Sequence, residues 1–378
     1  MWMRSAAVLL GLALATAGCG QEFKLPPTPP PELMPDAGRY HFEKSWTLAG
    51  PTDVAVRGSY LYVITQNRGP GADTVKAQIE VFLTNRPDPT PPPPGFFHPF
   101  TGIEDPTRIC VVKGDSTFVI VADRHTRIDT TSTVAHIDTT EVGGQVVYDT
   151  TFVTQAVLSW SVKRFHFTGG QPLASFALPG AWAGEAGAPA RPFGEVTGLA
   201  ADEDLNIYVS DAVNDVVAKF DRKGRLLKNL SGRGNGEGWI NQARGLDWNG
   251  AELLVADTGD DRVVFLDRNA VATATRHPVP PVGTAVGPYS PRAPEDLSSD
   301  RARNFLYIAD TGRNRILKYR LTGEFVDSVY SEKMSFPPPA ELAEPILAPR
   351  FVAVEDPLVF VSDPVRNRLV AFAMADSF

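Results

Sequence analysis

Cysteine is scarce in this sequence, because only Cys19 and Cys110 occur among its 378 residues. Two cysteines can form at most one bridge, so a framework of several disulfides is excluded. Cys110 lies in the apolar run of residues 109–112, and we expect it to be a small buried hydrophobic side chain.

Basic residues are also fewer than acidic residues. The sequence has 36 Lys and Arg residues against 44 Asp and Glu residues, which gives a formal net charge of −8. Nucleic-acid binding depends on basic patches that meet the phosphate backbone. We therefore predict no nucleic-acid partner.

Catalytic and metal-binding motifs are missing as well. The sequence has no Gly-x-Ser-x-Gly elbow, no P-loop and no His-Glu-x-x-His segment. Three of its six histidines, His125, His136 and His166, lie near one another in the sequence but lack the spacing of zinc ligands. The motifs therefore predict no catalytic residue, no metal and no cofactor.

The first residues have the pattern of an export signal. Arg4 precedes the apolar residues 6–15, a run too short to span a bilayer. Residues 16–19 read Thr-Ala-Gly-Cys and resemble the lipobox of bacterial lipoproteins, although Thr16 replaces the usual Leu. The resemblance implies a signal peptide over residues 1–18 and membrane attachment through a lipidated Cys19. Gly20 in place of Asp favours the outer membrane of the cell envelope. The alternative is an ordinary cleaved signal with an incidental cysteine.

Proline, in contrast, is plentiful. Residues 26–31 read Pro-Pro-Thr-Pro-Pro-Pro. Such a stretch cannot pair in a sheet and favours a semi-extended chain. We predict a Pro-rich tether over residues 19–39 and a folded body over residues 40–378.

Internal repeats organise this body. Six short apolar segments begin at Pro51, Pro106, Val196, Ala243, Pro294 and Pro349. Their intervals are similar except for the long one between Pro106 and Val196, which an insertion over residues 124–160 explains. Each repeat suggests four short antiparallel strands, and radial repetition of such units is typical of a β-propeller. The last repeat lacks a fourth strand, and residues 39–48 before the first repeat can supply it.

The sequence therefore predicts an all-β fold, a six-bladed β-propeller closed by an N-terminal strand, with a β-ribbon insertion in blade 2. A seventh blade built from the insertion is the alternative. The runs over residues 197–202, 232–238 and 308–315 resemble NHL repeats, and the resemblance extends over roughly residues 196–372. It implies the propeller fold and says little about function, since similar propellers include protein-binding, RNA-binding and enzymatic members.

An aspartate recurs after the second strand of four repeats, at Asp211, Asp257, Asp310 and Asp363. Its presence in repeat after repeat favours a structural role, in which the carboxylate accepts backbone N–H groups and pairs with a nearby Arg. Metal binding is the less favoured alternative.

The long links between blades predict the binding surface, because variable loops on a rigid scaffold often carry function. These links share a face with the turns between second and third strands, and they carry Phe96, Phe97, Trp182 and Trp239. The alternative is that such aromatic residues only cap the blades. The insertion leaves the same face, as a partner-contacting arm or a solvated decoration.

Charged residues gather where the opening segments reach this face. The candidate ligand-binding residues are Asp53, Arg108, Arg244, Glu295, Asp296 and Arg350 at the channel mouth, with Trp182 and Trp239 beside them. Charges of both signs suit a polar or zwitterionic group. The alternative is that neighbouring acids and bases neutralise each other.

Three functions remain open. The sequence favours a membrane-anchored, non-catalytic binding or scaffold module for a protein, peptide or glycan. A propeller enzyme acting at the central channel, such as a metal-assisted lactonase, hydrolase or lyase, would need several converging ligands, yet Gly198, Gly245 and Phe351 share one aligned position. A purely architectural role in the envelope is the third.

Overall fold

The computed structural model describes residues 40–67, 76–85, 91–92, 94–112, 118–142, 145–177, 192–269, 290–330, 346–355 and 357–374. The predicted signal peptide, the lipidation site Cys19, the tether and Trp182 lie outside these residues, so their assignments stay predictions. Among the described residues, no helix is both long and apolar enough to cross a bilayer.

The strands are short and follow one another closely. In chain order they are β1 (Tyr40–Thr47), β2 (Pro51–Arg57), β3 (Tyr60–Asn67), β4 (Lys76–Leu83), β5 (His98–Phe100), β6 (Asp105–Val111), β7 (Phe118–Val142), β8 (Gln145–His166), β9 (Gly169–Ala177), β10 (Val196–Ala201), β11 (Ile207–Asp211), β12 (Val216–Phe220), β13 (Leu226–Ser231), β14 (Ala243–Trp248), β15 (Glu252–Asp257), β16 (Arg262–Asp267), β17 (Pro294–Asp300), β18 (Phe305–Asp310), β19 (Arg315–Arg320), β20 (Phe325–Tyr330), β21 (Val352–Glu355), β22 (Leu358–Asp363) and β23 (Arg368–Met374).

These strands form six sheets, the blades of a propeller. Blade 1 is β2–β4, blade 2 is β5–β9, blade 3 is β10–β13, blade 4 is β14–β16, blade 5 is β17–β20, and blade 6 is β21–β23 with β1. The inner strands β2, β6, β10, β14, β17 and β21 neighbour one another in a closed ring around the axis. The predicted six-bladed β-propeller is confirmed.

Neighbouring blades pack face to face, so both faces of a sheet are apolar. β11 is buried at every position from Ile207 to Asp211. Successive side chains of a strand point to opposite faces. Val209 therefore packs in the cluster that contains Trp160 of blade 2, whereas Tyr208 packs with Trp248 of blade 4.

The ring closes through the N-terminal strand, as predicted. β1 pairs antiparallel with β23, from Tyr40 opposite Met374 to Thr47 opposite Arg368. Trp46 is buried and stacks on Phe360, with ring centroids 6.0 Å apart. Closure leaves blade 6 with four strands and covers the edge of β23.

The insertion is a two-stranded ribbon. β7 and β8 pair from Phe118 opposite His166 to Val142 opposite Gln145, and the part beyond Arg124 and Trp160 extends past the blade. The predicted β-ribbon is confirmed, and the alternative of a seventh blade is not. We call the side on which the ribbon leaves, where second and third strands are joined, the ribbon face. The side on which first and second strands are joined is the opposite face.

Blade 1 departs from the expected four strands. The structure describes three, and the following segment β5 pairs in parallel with β9 at the edge of blade 2. The residues where a fourth strand of blade 4 would fall, 270–289, lie outside the described part of the chain.

This change corrects the position of Phe96 and Phe97. We expected them on the ribbon face, but they contact Tyr60 and Phe167, which lie in or next to turns of the opposite face. The physical reason is that the third strand of blade 1 ends on the opposite face. A fourth strand would return the chain to the ribbon face, but the structure describes none in blade 1. The chain returns to the ribbon face through β5 instead.

Candidate functional site

A β-bulge recurs at the start of the inner strands. The register shifts between Pro51 and Asp53 in β2, and equivalent shifts occur in β6 before Arg108 and in β17 before Asp296. A bulge leaves one residue out of the ladder and redirects nearby side chains, and proline is tolerated at such positions because it has no N–H to donate. Pro51 pairs with Thr65 at the ribbon-face end of β3. The residues next to the bulges therefore gather where the channel opens on the ribbon face.

The Arg108 side chain crosses this mouth. Its Nε donates a hydrogen bond to the carbonyl oxygen of Thr197 at 2.6 Å, and Nη1 donates to that of Thr107 at 2.7 Å. Its guanidinium carbon lies 4.7 Å from the ring centroid of Phe351, a cation–π distance. One side chain thus joins blades 2, 3 and 6.

Glycine makes room at the matching positions of blades 3 and 4. A Cβ on Gly198 would lie 2.0 Å from the carbonyl oxygen of Arg244, and one on Gly245 would lie 2.4 Å from Oδ1 of Asp296. Any side chain at these positions would push neighbouring blades apart. The two glycines therefore allow the close approach of adjacent inner strands.

Asp53 and Asp296 are acids of the mouth that bridge blades. Asp53 accepts the N–H groups of Val54 at 2.7 Å and of Ile109, in the next blade, at 2.8 Å. Asp296 accepts the N–H of Val352, also in the next blade, at 3.0 Å. Burial raises the pKa of Asp53 to about 7, against the opposing effect of the Arg108 charge. Burial and the nearby charge of Asp53 raise the pKa of Asp296 well above its ordinary value.

Glu295 connects the two remaining cations. Its Oε2 lies 3.3 Å from Nη1 of Arg244 and 3.9 Å from Nη2 of Arg350, whose side chain is 44% exposed. The structure thus brings together all six residues predicted at the mouth, and their contacts fit the mutual neutralisation that we held open. Ligand binding by these residues stays a prediction.

Trp239 lies on the same face in the link between blades 3 and 4. Trp239 is 42% exposed and its ring covers a glycine loop, with Gly234 so close that an added Cβ would lie 2.9 Å from the Trp239 Cβ. The buried guanidinium of Arg262 holds this loop by donating to the carbonyl oxygens of Asn235 at 2.8 Å and Trp239 at 2.9 Å. Arg262 also pairs with Asp257 at 2.6 Å, as predicted for an Arg near a turn aspartate, but sequence reasoning missed its contacts with this loop.

The recurring turn aspartates are structural, as predicted. Asp211 accepts the N–H of Gly194 at 2.7 Å, Asp257 that of Asn241 at 2.6 Å, and Asp310 that of Arg292. Each carboxylate thereby fixes the link that leads into its own blade. Within the described part of the chain, no cluster of three His, Cys, Asp or Glu residues could hold a metal ion.

Below the mouth the channel narrows to a cavity of about 70 Å³. Asp53, Arg108, Asp247 and Asp296 line it together with apolar residues of the inner strands. Cys110 also lines it and is half-buried, so its predicted burial is only partial. Ligand pockets usually measure about 300–1,000 Å³, so this cavity is smaller than a typical ligand pocket and has room for a few water molecules.

No protein-family model matches this sequence, and no curated protein matches it either. A solved structure of a protein of unknown function from Bacteroides thetaiotaomicron VPI-5482 is similar, with a TM-score of 0.53 and 12% identity over 88% of this chain and 70% of that one. Virginiamycin B lyase from Staphylococcus aureus has a TM-score of 0.46 and 10% identity, over 89% of this chain and 99% of that one. Myxococcus xanthus glutaminyl cyclase has a TM-score of 0.39 and 10% identity, over 88% of this chain and 95% of that one.

The likeness to the Bacteroides protein concerns the fold alone, because the identity is very low. Fold and site together define the class: the protein is a six-bladed β-propeller with a ribbon on one face and a charged, constricted channel mouth.

Proposed function

We propose that this protein is a non-catalytic propeller of the NHL-repeat type, attached to the cell envelope through a lipidated Cys19, that binds a polypeptide on its ribbon face. The observation that carries the proposal is the ribbon itself. The NHL-like runs over residues 197–202 and 308–315 and the lipobox-like residues 16–19 support the family and the anchor.

The outer edges of the ribbon could form backbone hydrogen bonds with a partner. In the part of the chain that the structure describes, residues 128–142 and 145–157 pair only with each other. The outer edge of each strand therefore presents N–H and C=O groups without a third strand. Such an edge is a template for an extended polypeptide, which can add to it as a strand. An isolated two-stranded ribbon is also marginal in water, so an added strand would stabilise it.

Exposed apolar side chains accompany these edges. Ile137 is 51% exposed and Val146 is 55% exposed, both far from the blade. The sequence over residues 128–162 contains four acids, Asp129, Asp138, Glu141 and Asp149, and no Lys or Arg. An apolar and basic extended segment would complement this ribbon, whereas a second copy of it would be repelled.

The narrow channel favours surface binding over chemistry in the channel. A cavity of about 70 Å³ lies beneath the Arg108 side chain, which itself crosses the mouth. A substrate of metabolite size that entered from the ribbon face would have to displace the Arg108 side chain from Thr197 and Phe351. The exposed ribbon, the Trp239 ring and Arg350 are accessible without such a change.

Photo-crosslinking in intact cells tests the binding function. A photoreactive amino acid is placed at Ile137 or Trp239 on the ribbon face, and at Leu227 on the opposite face as the control, since Leu227 is 52% exposed. We expect the same protein to be crosslinked from both ribbon-face positions and not from Leu227. Equal capture from all three positions, or none, would contradict the proposal.

The anchor is tested separately. Cys19→Ala is exported behind an ordinary cleavable signal peptide in place of residues 1–18. We expect the wild type to fractionate with membranes and to carry an acyl mass at Cys19, and the variant to be released in the soluble envelope fraction. Release of the wild type would contradict the lipid anchor and leave the ribbon proposal standing.

A further inference from the structure

The folded body begins on the opposite face of the propeller. β23 starts at Arg368 on the ribbon face and ends at Met374 on the opposite face. Tyr40 pairs with Met374, so β1 starts on the opposite face and runs toward the ribbon face. The chain that precedes residue 40 therefore joins the body on the side away from the ribbon.

An exposed aromatic cluster lies on that same face, in blades 1 and 2. Its members are Tyr60, Phe96, Phe97 and Phe167. The ring of Tyr60 lies 4.9 Å from Phe97 and 6.1 Å from Phe96, and Phe96 lies 5.9 Å from Phe167. Phe96 is 48% exposed, while its three neighbours are half-buried. The half-buried rings thus form a rigid base that presents Phe96 to the surroundings.

One basic group contacts this cluster, and further basic groups lie on the same face. The guanidinium carbon of Arg57 lies 5.5 Å from the Phe167 ring centroid. Toward blade 3, Arg164 donates to the carbonyl oxygen of Arg222 at 3.0 Å, and the side chains of Arg222 and Lys223 are exposed in the next turn of the same face. Aromatic rings beside Lys and Arg suit the boundary between acyl chains and anionic headgroups.

We infer that this surface, Phe96 with its aromatic base together with Arg57, Arg222 and Lys223 on the same face, rests on an anionic lipid bilayer. The inference depends on the proposed lipid anchor, because the tether would bring a bilayer to the face where β1 starts. Up to 21 residues, 19–39, separate Cys19 from that strand. The ribbon then projects away from the membrane, toward soluble or surface-bound partners.

The test separates the patch from the anchor. The mature chain with Cys19→Ala is sedimented with vesicles of equal parts phosphatidylethanolamine and phosphatidylglycerol. We expect weak binding that Phe96→Asp reduces about tenfold, because the variant replaces an apolar ring at the lipid boundary with a carboxylate that anionic headgroups repel. Val213→Asp, at a turn of the ribbon face where Val213 is 64% exposed, is the matched control and should bind like the parent.

Hydrogen exchange of the lipidated wild type in the same vesicles gives the orientation. We expect slower exchange over residues 94–100 and 167–170 and unchanged exchange over residues 211–216. Equal losses for Phe96→Asp and Val213→Asp, or protection on the ribbon face, would overturn the inference even if Cys19 is lipidated. A wild type without an acyl chain would contradict the anchor alone, since the vesicle binding of the Cys19→Ala chain still measures the patch.

Discussion

The side-chain oxygen of Asn367 accepts a hydrogen bond from the N–H of Gly50 at 3.1 Å, which joins blade 6 to blade 1 where the ring closes. Both residues have left-handed backbone, with φ of 50° and 48°. The same contact joins other neighbouring blades, because the N–H of Ala348 donates to Asn314 at 2.8 Å, that of Ala293 to Asp261 at 2.7 Å and that of Gln242 to Asp215 at 2.7 Å. A left-handed Asn or Asp four residues after each turn aspartate therefore links one blade to the next.

The first prediction concerns this link. Asn367→Ala should lower the free energy of unfolding by about 1–3 kcal/mol, because it removes one hydrogen bond and because Ala, unlike Asn, has no polar side chain to stabilise left-handed backbone. Asn367→Gly keeps the backbone conformation and should lose less, and Asn367→Asp should lose least. Urea denaturation gives the order of the three. A loss in Asn367→Gly as large as in Asn367→Ala would show that the hydrogen bond dominates.

The second prediction concerns the closing strand. Trp46→Ala should lower the free energy of unfolding by about 3–5 kcal/mol, because Trp46 is 2% exposed and stacks on Phe360. It should also promote aggregation by loosening β1 from the edge of β23. Thermal unfolding and light scattering measure the two effects. Trp239→Ala is the matched control, since Trp239 is 42% exposed, and it should melt within a few degrees of the wild type.

The fold was predictable because it repeats. Apolar opening segments, turn aspartates and the orphan strand before Pro51 each occur at defined places in the sequence, so the number of blades and the closure follow from counting. The position of Phe96 did not follow, because β5, which comes directly after blade 1 in the chain, pairs in parallel with β9 at the edge of blade 2. Such a pairing depends on tertiary contacts that no local pattern encodes.

The channel mouth was also predictable from the repeats, except for its tertiary contacts. Equivalent positions of the inner strands meet on the axis, so Asp53, Arg108 and Asp296 could be grouped from alignment of the repeats. The contact of Arg108 with Phe351 could not, because it joins blades that are not neighbours. The hydrogen bonds from Arg262 to the glycine loop were missed because their carbonyl acceptors, such as that of Asn235, lie in an irregular loop.

The third prediction is a pH dependence of stability. Burial raises the pKa of Asp53 in the folded protein to about 7, above its ordinary 3.8. The folded state then binds a proton more readily than the unfolded chain, so the contribution of Asp53 to stability falls as pH rises from about 4 to about 7. Asp257, whose pKa burial raises to about 6, acts in the same direction.

Asp53→Asn tests this dependence. Its amide oxygen can still accept one of the N–H groups of Val54 and Ile109, and it does not titrate. We expect the decline in the free energy of unfolding between pH 5 and pH 8 to become smaller in Asp53→Asn than in the wild type, whatever the offset between the two curves. Parallel curves would show that Asp53 does not titrate in this interval.

The last prediction separates binding from stability at the channel mouth. Arg350 is 44% exposed and lies 3.9 Å from Glu295, whereas the Arg244 side chain is 24% exposed and lies 3.3 Å from the same carboxylate. Arg350→Glu should leave the melting temperature nearly unchanged, because an exposed ion pair contributes at most about 1 kcal/mol. Arg244→Glu should lower it, because a second carboxylate would then be half-buried against Glu295.

If the mouth contacts the partner, Arg350→Glu should reduce crosslinking from Trp239 at an unchanged melting temperature. Capture equal to that of the wild type would remove the mouth from the binding surface and leave the ribbon as the site that remains to be tested.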